Sequence, residues 1–343
     1  MNVNASIVVP VYNEINLIDN FVNNLFKTFK NQKIKFIFID DGSKDGSSEW
    51  LQKNLSKIFN KSNYDLIILK KNYGKGYAIK QGIKRIEGSY TMFIDSDLEY
   101  QPQDLYEMYN VVLKNQDIDV LHGSRNLGAK TQLRRYFLNG IAVKLNTWIY
   151  NFLFNQSLTD LHTGSKIIKN VLLKELNIST NGFGLEIVIS SEIAKRKINI
   201  FEYGISYYER SFEQGKKITF VDGLKSYYFL FKERFIQNDL ATRISLIYSF
   251  LFMSYAGTFF GMGIGKILVI ISFMIIGLLI ALNRKIIPLS FIFLLTYIGS
   301  LFSKGNGKIY TTVLFFLIGL YLSKKILNYF TKTADNRIFK YFL

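Results

Sequence analysis

The sequence predicts an α/β domain with a mostly parallel sheet and flanking helices, followed by an α-helical transmembrane domain. Over the first 240 of the 343 residues, short β-rich runs end in polar clusters and are followed by helix-compatible stretches. This alternation is typical of a parallel sheet covered on both faces. The rest of the chain consists mainly of long apolar runs, which indicate membrane-spanning helices.

The elements of the first part follow from the position of the apolar runs. We predict strands at residues 6–11, 35–39, 65–69, 90–94 and 120–123, and helices at residues 15–29, 47–59, 76–86 and 103–114. Parallel sheets bind ligands beyond the carboxyl ends of their strands. Functional residues are therefore expected directly after each strand of a catalytic domain at residues 1–219.

The C-terminal third contains four apolar runs, and none of them has an acidic residue. They cover residues 244–265, 267–283, 286–302 and 309–326, each close to the roughly 17–25 residues that span a bilayer. Helices that are apolar on all sides have no face to turn to water, so buried helices of a soluble core are disfavoured. We predict a transmembrane domain of four helices at 244–328, although the glycine-rich first run could instead lie partly in the interface.

The segment between the two parts, residues 220–243, has apolar residues at helical spacing with Lys225, Lys232 and Arg234 interleaved. This pattern is typical of an amphipathic helix on a membrane surface. A helix that packs on the soluble domain explains it equally well.

The basic excess is concentrated in the apolar part of the chain. Ten basic residues and one acidic residue follow Arg243, so this part carries +9 of the total of +17 and the first 243 residues carry +8. A membrane surface explains this distribution better than a nucleic acid does. The positive-inside tendency puts the basic tail at 329–343 and the N-terminal domain in the cytoplasm.

The composition excludes several classes of protein. The chain has no cysteine, so it is neither a disulfide-stapled scaffold nor a protein with a Cys-ligated zinc or iron–sulfur site. Hydrophobic residues make up 49% of the sequence, which argues against intrinsic disorder.

Acidic residues follow two of the predicted strands. Asp40 and Asp41 come after the second strand, where a carboxylate can accept hydrogen bonds from a ribose or a base. Asp95 and Asp97 come after the fourth, with Glu99 two residues further. If the turn bends, these carboxylates suit Mg²⁺ or Mn²⁺, with diphosphate oxygens and water completing the coordination. A second D-x-D sequence, residues 117–119, precedes a strand and is interpreted as a solvated turn.

Several motifs in order resemble a family 2 glycosyltransferase of the GT-A fold, whose domain is Rossmann-like. They are Val8-Val9-Pro10-Val11-Tyr12-Asn13-Glu14, Asp40-Asp41-Gly42-Ser43, Asp95-Ser96-Asp97-Leu98-Glu99, Gly123-Ser124-Arg125, Leu158-Thr159-Asp160, Gly164-Ser165-Lys166 and Arg210 with Gly215-Lys216-Lys217. The series resembles the polyprenyl-phosphate branch, which includes dolichyl-phosphate mannose and glucose synthases. The resemblance implies an inverting transfer of a hexose from a UDP- or GDP-sugar to a polyprenyl phosphate at a membrane, assisted by Mg²⁺ or Mn²⁺.

The resemblance also implies roles for individual residues. Pro10, Tyr12, Glu14 and Asp41 would hold the nucleoside, and the metal ligands would be Asp95, Asp97 and Glu99. The catalytic residues would be Asp97, Arg125 and Arg210, and the acceptor-phosphate site would contain Arg134, Asp160 and Lys216. Asp95 is also assigned to the nucleotide-sugar site, as is Lys75, which adds a cation between two glycines that permit close backbone approach. Glu99 departs from the family, which often has Gln there. Arg134 could equally belong to a solvated or headgroup patch, and Asp160 could be a helix cap or part of a structural ion pair.

Two other functions remain as alternatives. A processive polysaccharide synthase would carry Q-x-x-R-W after the third acidic motif, whereas residues 132–136 end in Tyr136 and precede Asp160. A non-catalytic lipid-binding or translocating membrane module would not need Asp95, Asp97 and Arg210 intact. A homo-oligomer is compatible with the sequence, and the residues do not identify the sugar.

Overall fold

The computed structural model describes residues 3–128, 130–182, 184–211, 213–215 and 220–237. Lys216, the predicted transmembrane domain and the basic tail lie outside these residues. Within them, no helix combines the length and the apolar character needed to cross a bilayer.

The described part alternates strands and helices as the sequence predicts. The strands are β1 (Ala5–Val11), β2 (Ile34–Asp40), β3 (Tyr64–Ile68), β4 (Tyr90–Phe93), β5 (Val120–Ser124), β6 (Gln132–Leu133), β7 (Lys166–Lys169), β8 (Phe201–Gly204) and β9 (Tyr207–Tyr208). The helices are α1 (Ile15–Phe29), α2 (Ser47–Ile58), α3 (Lys75–Ile83), α4 (Pro102–Lys114), α5 (Phe137–Phe154), α6 (Asn170–Glu175), α7 (Leu185–Lys195) and α8 (Phe220–Phe231). The five predicted strands and four predicted helices agree with β1–β5 and α1–α4 to within three residues.

A seven-stranded sheet in the order β3-β2-β1-β4-β7-β5-β8 forms the centre of the domain. All neighbouring strands are parallel except β7, which is antiparallel to both β4 and β5. This is the mixed, mostly parallel sheet that the sequence predicts. A separate pair, β6 and β9, is also parallel.

Helices cover both faces of the sheet. Residues Ile18, Phe21, Val22, Leu25 and Phe29 form the buried stripe of α1 and pack with α2 and α4 on one face, at the spacing of an amphipathic helix. Residues of α3, α6 and α7 pack on the other face. β1 and β2 are buried almost throughout, as expected for central parallel strands.

The chain divides into two compact units, Met1–Leu230 and Phe231–Leu343. In the first unit, α8 starts where the interfacial segment at 220–243 is predicted to start. In the second, the described residues form a π-helical turn at Lys232–Ile236. Whether the segment lies on a membrane stays a prediction.

Candidate active site

The turn after β4 brings the predicted metal carboxylates to the carboxyl edge of the sheet. Leu98 has a φ of 59°, a left-handed conformation that is uncommon outside glycine. This bend lets the backbone N–H of Glu99 donate to Asp97 Oδ1 over 3.0 Å. The turn after β4 is therefore bent at Leu98.

Gly164 leaves room for the carboxylate of Asp95. A Cβ atom on Gly164 would lie 2.4 Å from Asp95 Oδ2, closer than non-bonded atoms approach. The N–H of Gly164 also donates to the hydroxyl of Tyr100 over 3.1 Å. Within the Gly164-Ser165-Lys166 motif, Gly164 thus makes space for Asp95 because glycine has no side chain.

Lys75 connects Asp95 to a carboxylate that the sequence did not indicate. Its Nζ lies 2.8 and 2.9 Å from the two oxygens of Asp95 and 2.8 Å from Glu186 Oε1. Burial opposes the charge of Lys75, but these two carboxylates raise its pKa overall. Burial likewise opposes the charge of Glu186, yet Lys75 holds the pKa of Glu186 below its usual value.

Glycines flank Lys75 because its helix begins against another loop. A Cβ on Gly74 would lie 2.6 Å from the carbonyl oxygen of Asn181, and one on Gly76 would lie 2.7 Å from that of Thr180. Gly74 also has a φ of 96°, which glycine adopts without strain. These contacts fix the start of α3 beside the loop that leads to α7.

Arg210 makes a comparable connection on the other side of the turn. Its Nη1 lies 2.8 Å from Glu14 Oε2, and its Nη2 lies 3.4 Å from Asp97 Oδ2. Its backbone N–H donates to Glu99 Oε1 over 2.9 Å. The carboxylate of Glu99 also accepts from the hydroxyl of Tyr207 over 2.8 Å, so this predicted metal ligand already has two hydrogen-bond donors.

The excess of negative charge at the turn fits a divalent cation. Burial, followed by the charges of Asp95 and Glu99, raises the pKa of Asp97 to about 7 although Arg210 opposes the shift. Asp95 and Asp97 offer the hard oxygen donors that Mg²⁺ and Mn²⁺ prefer. The described residues contain no group of three or more His, Cys, Asp or Glu side chains arranged to hold an ion, so further ligands would come from a substrate or water.

Asp41, predicted to hold the nucleoside, organises the neighbouring loop. Its carboxylate accepts from the backbone N–H groups of Tyr73 and Gly74, each over 2.8 Å. Burial raises the pKa of Asp41 although these hydrogen bonds oppose the shift. Pro10 and Tyr12 lie at the end of β1 and directly after it, on the same edge of the sheet. The predicted nucleoside residues therefore share one edge with the acidic turn.

Arg125 and Asp160 form a buried ion pair. Arg125 Nε lies 2.6 Å from Asp160 Oδ2, and Nη2 lies 2.8 Å from Oδ1. The side chain of Asp160 has no exposed surface, so it supports the site by holding Arg125, as in the ion-pair alternative. Arg134 is exposed and donates to the carbonyl oxygen of Arg125 over 2.6 Å. Lys216 lies outside the described residues.

Sequence reasoning missed two groups on α7 and β7. Glu186 belongs to none of the motifs. The sequence marks it only as an acidic residue in the first turn of a helix, where negative charge is favourable. Lys166 was part of a motif without a role, and its buried Nζ lies 3.2 Å from His122 Nδ1. Both contacts join segments far apart in sequence.

Comparisons with known proteins identify the family of the domain. Residues 6–176 match the family model described as glycosyl transferase family 2. An uncharacterized protein of Methanocaldococcus jannaschii is 27% identical over 206 residues, which cover 58% of this chain and 86% of the relative. The dolichyl-phosphate beta-glucosyltransferase of Dictyostelium discoideum is 28% identical over 224 residues, which cover 61% of this chain and 67% of the relative.

A third relative is similar over a shorter stretch, and a solved structure shares the fold. The undecaprenyl-phosphate 4-deoxy-4-formamido-L-arabinose transferase of Pseudomonas savastanoi is 31% identical over 134 residues, covering 38% of this chain and 39% of the relative. The glucosyl-3-phosphoglycerate synthase of Mycobacterium tuberculosis, in complex with Mn²⁺, UDP and glucosyl-3-phosphoglycerate, aligns with a TM-score of 0.51 at 16% identity. This alignment covers 67% of this chain and 79% of that one, and at this identity it supports the fold alone.

Proposed function

The chain contains a glycosyl transferase family 2 domain at residues 6–176, and we propose that this glycosyltransferase moves a hexose from a nucleotide diphosphate sugar to a polyprenyl phosphate. The observation that carries the proposal is the arrangement of Asp95, Asp97, Lys75 and Arg210 at one edge of the sheet. Relatives named as dolichyl-phosphate and undecaprenyl-phosphate transferases support this acceptor class.

Asp95 and Asp97 would hold a Mg²⁺ or Mn²⁺ ion. The bound ion would supply positive charge to the diphosphate of the donor as negative charge develops there. A solved structure that shares the fold is in complex with Mn²⁺ and UDP, so the fold is compatible with this proposal. Lys75 and Arg210 lie against the same carboxylates and would add cationic groups for the phosphates of donor and acceptor.

The proposed acceptor does not need a strong general base. A phosphate monoester is already an anion at neutral pH, so its oxygen needs alignment and charge shielding rather than deprotonation. We propose that this oxygen forms a bond to the anomeric carbon while the nucleoside diphosphate leaves with the bonding electrons, which inverts the configuration. Arg125, fixed by Asp160, would contribute to the charge shielding.

We also propose that the domain works at a membrane surface. Large apolar residues along α5 are exposed, with Phe137 81%, Leu138 76% and Trp148 65% exposed. No acidic residue occurs from 120 to 159, whereas Arg134, Arg135 and Lys144 do. An apolar face with basic neighbours favours an anionic lipid surface, as do the apolar runs at 244–326.

The test is transfer by membranes that contain the full chain. Labelled UDP- and GDP-hexoses are incubated with undecaprenyl phosphate and Mn²⁺, and the expected product is a charged glycolipid that mild acid hydrolyses. Undecaprenol, which lacks the phosphate, serves as the control acceptor and is expected to give no product. Absence of product with every common UDP- and GDP-hexose would refute the proposal.

A further inference from the structure

Two side-chain cations lie on the proposed metal carboxylates, and each has a second carboxylate partner on another element. Lys75 contacts Asp95 and also Glu186, in the first turn of α7. Arg210 contacts Asp97 and also Glu14, just before α1. Each cation is therefore shared between one carboxylate of the turn after β4 and one outside it.

Lys75 and a divalent cation would compete for the same oxygens. The Nζ of Lys75 lies within 2.9 Å of both oxygens of Asp95, so an ion ligated there would meet an ammonium group at short range. Like charges this close repel strongly in a partly buried cleft. An ammonium group released from Asp95 without another partner would be left as an uncompensated, partly buried charge.

The backbone keeps Glu186 within reach of Lys75. The N–H of Tyr77, in the first turn of α3, donates to the carbonyl oxygen of Asn181 over 2.8 Å. Gly74 and Gly76 pack against the same loop, and Glu186 follows a few residues later. The Lys75–Glu186 contact of 2.8 Å is thus supported independently of Asp95.

We propose that Glu186 is a positioning residue that retains Lys75 when Asp95 binds a divalent cation. Glu186 thereby opens Asp95 to the ion and keeps the ammonium group in the site, where it can serve the donor phosphates. The inference rests on the proposed metal dependence. Glu14 is arranged in the same way towards Arg210.

The experiment measures Mn²⁺ affinity without any substrate. The purified full chain in detergent is titrated with Mn²⁺, and free Mn²⁺ is followed by electron paramagnetic resonance. Variants are Glu186→Gln, Lys75→Met and the double variant, with Glu192→Gln as the matched control. Glu192 lies on the same helix and pairs with Lys195 and Arg196.

Glu186→Gln is expected to weaken Mn²⁺ binding roughly 10- to 100-fold, the usual range for residues that orient metal ligands. In the Lys75→Met background the same substitution is expected to change the affinity less than about threefold, because no ammonium group then competes for Asp95. Glu192→Gln is expected to bind Mn²⁺ like the parent chain.

Three results would overturn the inference in different ways. An equal loss of Mn²⁺ affinity from Glu186→Gln in both backgrounds would mean that Glu186 acts only through its long-range charge. An unchanged Mn²⁺ affinity would mean that Glu186 has no role in metal binding. The proposed function would stand in both cases. A parent chain that binds no Mn²⁺ would refute the proposed metal dependence and the inference together. If Glu186→Gln lost Mn²⁺ affinity only because it misfolds, adding Lys75→Met would not restore that affinity.

Discussion

The guanidinium of Arg125 holds the carboxylate of Asp160 through two hydrogen bonds of 2.6 and 2.8 Å, and the backbone N–H of Arg125 donates a third of 3.0 Å. The guanidinium also lies over the ring of Tyr207, 4.9 Å from its centroid. Burial opposes the charge of Asp160, but Arg125 keeps the pKa of Asp160 below its usual value. The pair therefore remains ionised inside the domain.

Breaking this pair is expected to destabilise the fold. Asp160→Asn leaves the charge of Arg125 buried without compensation, which costs about 3–5 kcal/mol. Thermal unfolding of the purified full chain, followed by tryptophan fluorescence, measures the loss. The double variant Arg125→Met with Asp160→Leu is expected to lose less than Asp160→Asn alone, and a larger loss would contradict this account.

Asp97 is expected to be essential for turnover. Asp97→Asn removes one of the two carboxylates proposed to hold the metal, and we expect transfer to fall at least about 100-fold, or roughly 2.7 kcal/mol of transition-state stabilisation. The measurement is glycolipid formation by membranes with equal amounts of protein. Asp117→Asn, at the exposed first position of the second D-x-D sequence, is the matched control and should retain activity. Comparable losses in both variants would argue against a special role for Asp97.

Gly164→Ala is expected to impair catalysis more than stability. The added methyl group would meet Asp95 Oδ2 at 2.4 Å and must displace that carboxylate. A shift of about 1 Å in a reacting constellation can cost on the order of 100-fold in rate. Gly140→Ala on α5 meets no atom within 4 Å and should keep full activity. Wild-type turnover in Gly164→Ala would show that the position of Asp95 is not critical.

Trp148 is expected to contact lipid. The chain has two tryptophans, and Trp50 packs against the core, so Trp50→Phe leaves Trp148 as the only reporter. In liposomes with brominated phospholipids, the full chain with Trp50→Phe should be quenched strongly, because α5 is proposed to lie at the membrane surface. The converse variant, Trp148→Phe, should be quenched weakly. Equal quenching of both reporters would refute the proposed orientation.

Lys166→Met is expected to stabilise the protein at neutral pH. Burial lowers the pKa of Lys166 from 10.5 to about 8, although Glu186 and Asp160 oppose the shift. Below pH 8 the folded chain carries the full cost of this buried charge, about 3 kcal/mol for a shift of this size. Between pH 8 and 10.5 the folded state releases the proton first, so parent stability rises and the cost disappears.

The stabilisation by Lys166→Met should therefore be largest at pH 7 and small near pH 10. Unfolding midpoints of parent and variant across this range measure it. Lys174→Met, at an exposed position of α6, should change little at any pH. A constant gain would indicate an origin other than the charge of Lys166.

The sequence predicted best where local pattern and burial agree. Buried apolar runs define β1 and β2, and the stripe of α1 has a clear helical period. The antiparallel strand β7 was not predicted, because its direction depends on pairing with β4 and β5 rather than on its own four residues. α5 was missed because its exposed apolar residues weaken the amphipathic pattern of a soluble helix.

The same distinction applies to the candidate site. Asp95 and Asp97 were predicted because a parallel sheet collects residues at strand ends. Glu186 was not, because its contact with Lys75 joins residues 111 positions apart and no local pattern encodes it. Asp160 forms a buried ion pair with Arg125, which was one of the alternatives left open by the sequence. The sequence could not select this alternative because the pairing partner is distant along the chain.

The insertion of β7 between β4 and β5 has a consequence for the order of folding. During synthesis, β4 emerges long before its neighbour at Lys166–Lys169, so a hydrogen-bonding edge stays open beside a completed β3-β2-β1-β4 half. Open edges invite pairing with other chains, and such long-range closures are slow. A nascent chain that stalls before β7 would therefore expose the unpaired edge of β4 and be prone to aggregation. The packing of Gly164 against Asp95 could form only after Gly164 has been synthesised.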